Sequence, residues 1–305
     1  MKNKIAIASA FIAASSFSFA EIALTESLSV EGFIDTQYTD NSGAGNANDA
    51  SLDVNEVEIS FLFDMGGVSA RVDTQYTDFD GPAPGMIGEI DQAYVSYDAF
   101  GGTLSVGGMD SQLGYEAFEA PGLYTNTTGG SAQLPGTDLA VKFTMDLDAA
   151  SSLGVALVDE GSFIGDEGAT GTGLEVAYGR DLGNGLGAFV GYRTGTDADT
   201  GADANVLNAY VTYETGALTF AAEIVDGETT TDYLLLANYA YADNASVTVR
   251  YTTDENGAID GTDQEILTIA HQLALADNLS LTTELSDDGS DDDQYSFSVG
   301  ALFTF

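Results

Sequence analysis

Alternation of apolar residues with small or polar residues is the feature that most constrains how this chain can fold. The last eleven residues show it most clearly. From Tyr295 to Phe305 every second side chain is large or apolar, and all but one of the positions between them, Leu302, are small or polar. A period of two indicates a β-strand whose faces meet different environments. The length matches the ~9–11 residues that a tilted strand needs to cross a bilayer.

Residues 1–20 have the pattern of a secretory signal peptide. Two lysines precede an apolar run over residues 5–14, and Ser18-Phe19-Ala20 provides small residues for cleavage before Glu21. The apolar run is too short to span a membrane as a helix. We therefore expect export, with residues 21–305 forming a single domain.

The charge balance excludes several classes of function. The chain has 49 acidic and seven basic residues and a net charge of −42, and two of the basic residues lie in the signal peptide. The remaining five cannot form a surface for nucleic acid, so no nucleic-acid partner is expected. With 15 Tyr and 16 Phe the chain does not have the composition of a disordered protein. The absence of cysteine excludes disulfides and thiolate metal sites.

Alternating segments recur along the chain and predict an all-β fold, a transmembrane antiparallel up-and-down β-barrel of sixteen strands. The apolar face of each segment would meet lipid, although the segment Glu265–Leu273 does not show which face that is. The predicted strands are Ser29–Thr39, Asn55–Met65, Val68–Thr77, Asp91–Asp98, Thr103–Met109, Leu139–Leu147, Leu153–Val158, Gly173–Asp181, Leu186–Arg193, Leu207–Glu214, Leu218–Val225, Tyr233–Tyr241, Ser246–Thr252, Glu265–Leu273, Asn278–Leu285 and Tyr295–Phe305.

The connections between these segments alternate in length. Tight turns such as Gly66-Gly67 and 182–185 carry the residues that hairpins require. Longer polar connections, such as 40–54 and 110–138, lie between them. Short turns at one end and long loops at the other are typical of outer-membrane barrels, whose short turns are periplasmic. The sequence therefore predicts an outer-membrane location, with outer-membrane lipid and lipopolysaccharide as surroundings.

Four motifs in the middle of the chain resemble the outer-membrane β-barrel porins. They occur in the expected order and are specific over about residues 90–145, whereas elsewhere the likeness rests on architecture. The resemblance implies passive diffusion of small hydrophilic solutes and ions through a homotrimer, with the third loop, residues 110–138, folded into the pore. The lack of Trp and the scarcity of Arg depart from many porins. The motifs are Gln92-Ala-Tyr-Val95, Gly107-Gly-Met-Asp110, Leu113-Gly-Tyr-Glu-Ala-Phe-Glu-Ala-Pro121 and Leu134-Pro-Gly-Thr-Asp138.

Charged residues opposite the apolar faces are the candidate pore lining. Carboxylates outnumber basic residues there, which predicts a preference for cations. Either the basic residues face acids across the pore and create a transverse field, or each satisfies a neighbouring carboxylate, as Arg71 would with Asp73. The basic candidates are Arg71, Lys142, Arg193 and Arg250. The acidic ones are Glu31, Asp35, Glu58, Asp73, Asp146, Glu175, Glu214, Glu223 and Glu284.

The third loop would add carboxylates at the narrowest point of the pore, namely Asp110, Glu116 and Glu119, with Tyr115, Phe118 and Tyr124 as packing anchors. A connection of this length is unusual in a compact fold and is usually functional. The alternative is a mobile external segment. The sequence does not decide between the two.

Residues 252–263 resemble a calcium-binding loop of the EF-hand type. Asp254, Asn256, Asp260 and Asp263 could hold Ca²⁺ or Mg²⁺ loosely, but the first and twelfth ligands depart from the pattern, so we expect no dedicated metal and no cofactor. His271 is the only histidine and falls within a predicted strand, where an interfacial or packing role is expected. The sequence therefore predicts no enzyme.

Two other functions compete with a weakly selective porin. One is a substrate-selective channel, for a sugar or a cationic nutrient, which an aromatic series along the pore would favour. Phe33, Tyr94, Phe189 and Tyr210 are predicted to face inward, but on separated strands. The other is a closed structural or adhesive barrel whose acidic loops bind cations.

Overall fold

The computed structural model describes residues 21–42, 49–76, 88–116, 120–131, 133–162, 172–196, 205–228, 230–254, 264–287 and 295–305. No helix in these ranges is long and apolar enough to cross a membrane. The described strands are β1 (Ile22–Ala23), β2 (Leu28–Ser42), β3 (Asp49–Asp64), β4 (Val68–Tyr76), β5 (Gly88–Ala99), β6 (Gly102–Asp110), β7 (Thr137–Asp148), β8 (Ser151–Ser162), β9 (Thr172–Gly183), β10 (Leu186–Arg193), β11 (Val206–Thr215), β12 (Leu218–Asp226), β13 (Thr231–Ala242), β14 (Ala245–Asp254), β15 (Gln264–Ala276), β16 (Leu279–Asp287) and β17 (Tyr295–Thr304). A 3-10 turn spans Ala120–Gly122.

Sixteen of the described strands, β2 to β17, close into one antiparallel barrel. Each pairs with the next along the chain, and β17 returns to pair with β2, with Val299 opposite Tyr38. The two residues of β1 pair with the start of β2, just beyond the point where Phe305 exchanges two backbone hydrogen bonds with Gly32. Closure removes the unpaired edges that would otherwise recruit other strands. The predicted barrel of sixteen strands is confirmed, with β1 as an additional short strand.

The largest difference from the predicted boundaries is at β3, which begins at Asp49 instead of Asn55. The pairing of β2 with β3 contains a β-bulge between Asp35 and Thr36. A bulge inserts one extra residue into a strand and so reverses which face the following side chains occupy. The alternation in the sequence is interrupted at this bulge, so the pattern does not predict residues 49–54 as part of the strand.

The structure resolves which face of β15 points outward. Leu267 and Ile269 are exposed, whereas Thr268 and Ala270 are buried on the inner side. His271 therefore shares the outer face. Its Nε2 lies 2.6 Å from the hydroxyl oxygen of Tyr241, and the two rings stack. This is the packing role that was expected of the histidine.

The short connections lie together at one end of the barrel, the end that faces the periplasm in barrels of this kind. Three of them contain two successive residues with positive φ angles, namely Gly66-Gly67, Phe100-Gly101 and Asn184-Gly185. Such turns match the right-handed twist of the flanking strands. The third loop is the long connection between β6 and β7, at the opposite end.

Candidate functional site

The third loop lies against the inner face of the barrel and is held there by buried carboxylates of the wall. Four of these, each on a different strand, accept hydrogen bonds from the loop. Their side chains lie on the face opposite the exposed apolar residues, so the loop must run inside the barrel. The four are Glu175 on β9, Glu223 on β12, Asp232 on β13 and Glu284 on β16.

The wall carboxylates act on the loop backbone. Glu175 accepts a hydrogen bond of 2.9 Å from the amide of Gln112. The amide of Tyr115 donates to Glu223 at 2.7 Å, and the amide of Asn126 donates to Glu284 at 2.6 Å. An irregular segment cannot pair its own amides, and unpaired buried amides are costly. The carboxylates therefore supply the acceptors that the loop lacks.

One contact reverses these roles, because the wall supplies the donor and the loop supplies the carboxylate. Arg250 on β14 donates to Glu116 of the loop at 2.8 Å, and both side chains are almost completely buried. The amide of Gly129 donates to the same carboxylate oxygen of Glu116 at 2.7 Å. The guanidinium also reaches the carbonyl oxygen of Thr127 and the hydroxyl of Thr125. Arg250 thus ties both arms of the loop to the wall.

Burial raises the pKa of Glu116, although the nearby Arg250 and the amide of Gly129 oppose this. The Oε1 atom of Glu116 and the Nε atom of Arg250 have no hydrogen-bond partner among the described residues. Burial of the pair is therefore incompletely compensated, and Glu116 binds its proton more tightly than an exposed glutamate would.

Wall glycines make room for loop side chains. A Cβ atom added at Gly154 would overlap the side chain of Gln112, and one added at Gly300 would overlap that of Asn126. Gly191 stands in the same relation to Leu113, and Gly227 to Gln133. The loop is therefore seated so closely that four wall positions tolerate no side chain without a shift.

Aromatic rings fill the space between the loop and the wall. Phe189 and Tyr210 are register partners on β10 and β11, and their rings stack with centroids 4.6 Å apart. Tyr115 of the loop packs edge-on against Tyr210, and Tyr124 joins the same buried cluster. Burial raises the pKa of both loop tyrosines. The expectation that Phe189 and Tyr210 lie on separated strands is wrong, because the strands are neighbours.

The part of the barrel wall formed by β2 to β6 faces the docked loop across the interior and is called the facing wall below. It is acidic. Arg71 is surrounded there by three carboxylates, which lie at 3.1 Å (Glu31), 3.7 Å (Glu58) and 2.7 Å (Asp73) from its nitrogens. Because its partners lie on its own strand β4, on the adjacent β3 and on the next strand along the wall, β2, Arg71 cannot provide one side of a field across the pore. The geometry matches the alternative in which a basic residue satisfies adjacent acids.

The other basic residues of the inner face are also engaged. Arg193 pairs with Asp138 at 2.5 Å and lies 3.9 Å from Glu175. Lys142 donates to the carbonyl oxygen of Asp110 at 3.2 Å. The carboxylate of Asp110 accepts from Thr137 at the end of the third loop. The described inner face therefore contains no arginine more than 4 Å from a carboxylate.

The candidate pore-lining residues thus divide into three groups. Glu58, Arg71 and Asp73 form the cluster on the facing wall, and Asp110 and Lys142 lie at the root of the loop. By contrast, Arg250 and Glu116 are buried between the loop and the wall, so Glu116 does not reach the lumen as expected. Its carboxylate is drawn to the guanidinium that compensates its charge.

Three sequence-based expectations fall outside the described residues: the signal peptide over residues 1–20, the third-loop side chains Phe118 and Glu119, and the calcium-like loop. In that loop Asn256, Asp260 and Asp263 are not described, and Asp254 is known only as the end of β14. In the described ranges, no group of three or more His, Asp or Glu side chains is arranged to hold a metal ion.

The anchoring role of Glu175, Glu223 and Glu284 was missed by sequence reasoning. Alternation places these side chains on the inner face, and it does so correctly. It cannot distinguish a carboxylate that faces water from one that a loop covers. The wall glycines opposite the loop are a signal that could have indicated close contact, since a glycine in a strand often marks an approaching segment.

Comparison with known proteins identifies the architecture. A family model described as Gram-negative porin matches residues 6–305. The fold is similar to that of Salmonella typhi OmpF solved with daunomycin, with a TM-score of 0.72 and 13% identity over 93% of this chain and 100% of that one. It is also similar to an anion-selective porin from Comamonas acidovorans, with a TM-score of 0.67 and 17% identity over 92% and 99% of the two chains. For a mutant of the Rh. blastica porin the TM-score is 0.68 at 17% identity, over 91% and 100%. A search of curated protein sequences found no match.

Proposed function

The chain belongs to the Gram-negative porin family and is an outer-membrane channel for passive diffusion, and from this premise we propose that the channel prefers cations. Family membership does not set the sign of the selectivity, since one structural neighbour is described as anion-selective. The proposal must therefore rest on the charges of this chain.

The arrangement of charge on the inner wall carries the proposal. Arg71 is enclosed by Glu31, Glu58 and Asp73, so the cluster retains a net negative charge. Arg193 and Arg250 are each paired with a carboxylate and are nearly buried. The carboxylates of the facing wall are therefore not balanced by free cations. Negative walls with low-dielectric surroundings concentrate cations in the pore.

The reversal potential of the purified protein in a potassium chloride gradient tests this proposal. We expect the sign that indicates cation flow, and a smaller permeability ratio at high salt, because the Debye length falls from ~10 Å at 0.1 M to ~3 Å at 1 M. Combined Glu31→Gln and Asp110→Asn substitutions should lower the ratio. Asp181→Asn, at an exposed position near the end of β9, is the matched control. Anion selectivity of the unmodified protein would refute the proposal.

The same recordings separate the channel from its alternatives. Large ohmic steps that do not saturate support general diffusion. Saturation by one solute supports a substrate-selective channel, for which the buried ring cluster of Phe189 and Tyr210 would be the place to look. A barrel without conductance would be structural or adhesive. We propose no enzymatic activity, in keeping with the family.

We further propose that the protein is exported by cleavage after Ala20 and assembles as a homotrimer. The trimer would contact lipopolysaccharide, and loosely held Ca²⁺ or Mg²⁺ would bridge its acidic loops to the phosphates of that lipid. Family membership supports the trimer. Mass spectrometry of the mature protein should give an N-terminus at Glu21. Sedimentation in detergent should give three copies per particle, and a monomer would refute the assembly.

A further inference from the structure

A six-residue sequence, Asp-Thr-Gln-Tyr-Thr-Asp, occurs twice in the chain, at residues 35–40 and 73–78. The described parts of the two copies lie in β2 and β4, both in the facing wall. In each copy the pairing with the next strand shifts by one residue directly after the first aspartate. The hydroxyl of the following threonine donates to a carbonyl oxygen of the strand on its other side, over 3.2 Å from Thr36 and 3.0 Å from Thr74. The hairpins β2–β3 and β4–β5 are therefore built alike.

The extra residue of each bulge lies on the inner side of the barrel. It is Asn55 in β3 and Asp91 in β5, the residues that the register leaves without an opposite partner. Asn55 contacts Asp35 of the inner face, and the charged neighbours of Asp91 include Asp110 and Asp73. Because a bulge changes the direction of a side chain, the two equivalent bulges bring an asparagine and an aspartate to corresponding positions of the wall.

In the first copy the asparagine satisfies the acceptors around it. The Nδ2 atom of Asn55 donates to Oδ2 of Asp35 at 2.9 Å and to Oε1 of Gln37 at 2.7 Å. Both N–H groups of one amide are thus used, one on each side chain of the repeat. The first copy is complete without any group from outside the protein.

In the second copy an ionised aspartate takes the place of the asparagine, and it has no N–H group to donate. Asp73 accepts from Arg71, and Nε2 of Gln75 donates to Glu56 at 2.7 Å. The Oε1 atom of Gln75 and the carboxylate of Asp91 accept no hydrogen bond from any described residue. Asp91 is partly exposed to the lumen. The second copy therefore lacks the donor that its counterpart contains.

We propose that Asp91, together with the side-chain oxygen of Gln75, makes the channel favour permeating cations that carry N–H groups, such as primary ammonium ions, over cations without them. An ammonium group supplies the donor that Asn55 supplies in the first copy, and its hydrogen bond to a carboxylate is charge-assisted and hence stronger than a neutral one. In the described ranges no three acidic or histidine side chains are arranged to hold a metal ion, so the preference concerns organic cations. The inference rests on the proposed cation preference and adds the class of solute.

Bi-ionic reversal potentials in planar bilayers test this inference, with methylammonium chloride on one side and tetramethylammonium chloride on the other. Tetramethylammonium has the same charge and no N–H group. Asp91→Asn should lower the permeability ratio of methylammonium to tetramethylammonium about threefold, a part of what a hydrogen bond to a charged group contributes, because water competes in the lumen. The difference in ion size affects all variants equally. Asp146→Asn, which removes an exposed carboxylate of β7, is the charge-matched control and should leave the ratio unchanged.

Exchanging the two bulge residues separates the donor effect from the total charge. The double variant Asn55→Asp with Asp91→Asn keeps the number of carboxylates and moves the open acceptor to the first copy, so its ratio should return to that of the unmodified protein. A double variant as low as Asp91→Asn would overturn the inference, because the two copies would then not be equivalent.

The outcomes also distinguish this inference from the cation preference on which it rests. If the unmodified protein is cation-selective in potassium chloride but Asp91→Asn leaves the methylammonium ratio unchanged, the inference fails and the cation preference stands. An equal fall of the ratio in Asp146→Asn would assign the effect to total charge and would also overturn the inference. Anion selectivity of the unmodified protein in potassium chloride would refute both.

Discussion

Arg250 of β14 and Glu116 of the third loop form an ion pair of 2.8 Å between two side chains that are almost completely buried. It joins a loop to a wall strand 134 positions away in the sequence. Removing one partner from a buried pair leaves an uncompensated charge, whereas an exposed pair contributes little. The pair is therefore the contact whose loss the loop can tolerate least.

Arg250→Ala should release the third loop from the wall. Leaving Glu116 buried without its partner would cost about 3–5 kcal/mol, and the loop can avoid that cost by moving towards the lumen. We expect unsteady single-channel currents with more open-channel noise than in the unmodified protein. Arg180→Ala, which removes an exposed arginine of β9, should leave the currents unchanged. Quiet currents from the Arg250 variant would show that the carboxylate anchors suffice.

The wall glycines provide a second test of loop seating. Gly300→Ala would place a methyl group against the side-chain amide of Asn126. The Nδ2 atom of that amide donates hydrogen bonds to the hydroxyl of Ser298 and to the carbonyl oxygen of Thr282. Losing those hydrogen bonds should weaken docking by about 1–3 kcal/mol. Chymotrypsin should then cleave the folded protein faster within the loop.

Gly136→Ala is the control for this experiment, because an added Cβ there has no atom within 4 Å. Its cleavage rate should equal that of the unmodified protein. Equal protection of the Gly300 variant would mean that Asn126 is free to move aside without loosening the loop.

The barrel was predictable because its strands separate two environments and so impose a period of two on the sequence. The pattern extends over eight or more residues in most strands, and turn residues mark the short connections. The failure at β3 has a local cause, since the bulge opposite Asp35 leaves Asn55 of β3 as an extra residue and reverses the alternation. At β15 neither face was distinctly apolar, because His271 shares the outer face with leucines.

The site was less predictable, because it depends on which strands the third loop covers. Alternation places Glu175, Glu223 and Arg250 inside correctly. It cannot show that a loop distant in sequence buries them. The same limit applies to Phe189 and Tyr210, whose contact follows from strand register. Inward orientation is a property of one strand, whereas exposure to the lumen is a property of the assembled barrel.

Arg71→Gln should change both the ion selectivity and the stability of the barrel. The substitution removes the positive charge among Glu31, Glu58 and Asp73, so the permeability ratio of potassium to chloride should rise. The same change leaves buried carboxylates unpaired, which should lower the unfolding temperature. Adding Asp73→Asn should recover part of the lost stability while returning the ratio towards that of the unmodified protein. A single Arg71→Gln variant with a lower ratio would contradict the assigned charge balance.

The raised pKa of Glu116 gives loop docking a defined dependence on pH. Because burial raises the pKa above 4.5, its ordinary value, the docked loop holds the proton more tightly than the free loop does. The stability contributed by this group is fully present below that ordinary value and is lost as pH rises through the raised pKa. Protection of Tyr115 and Tyr124 from chymotrypsin-like cleavage should accordingly decline as pH rises above 4.5.

Glu116→Gln identifies the group responsible. Glutamine keeps the shape of the protonated side chain and can still accept a hydrogen bond from Arg250, but it does not titrate. Loop protection in this variant should be flat across the same range and should match that of the unmodified protein at acid pH. Cleavage can be followed by mass spectrometry with a protease that remains active over the range, corrected for its own pH dependence on an unfolded substrate. A variant whose protection still declines with pH would show that Glu116 is not the group responsible.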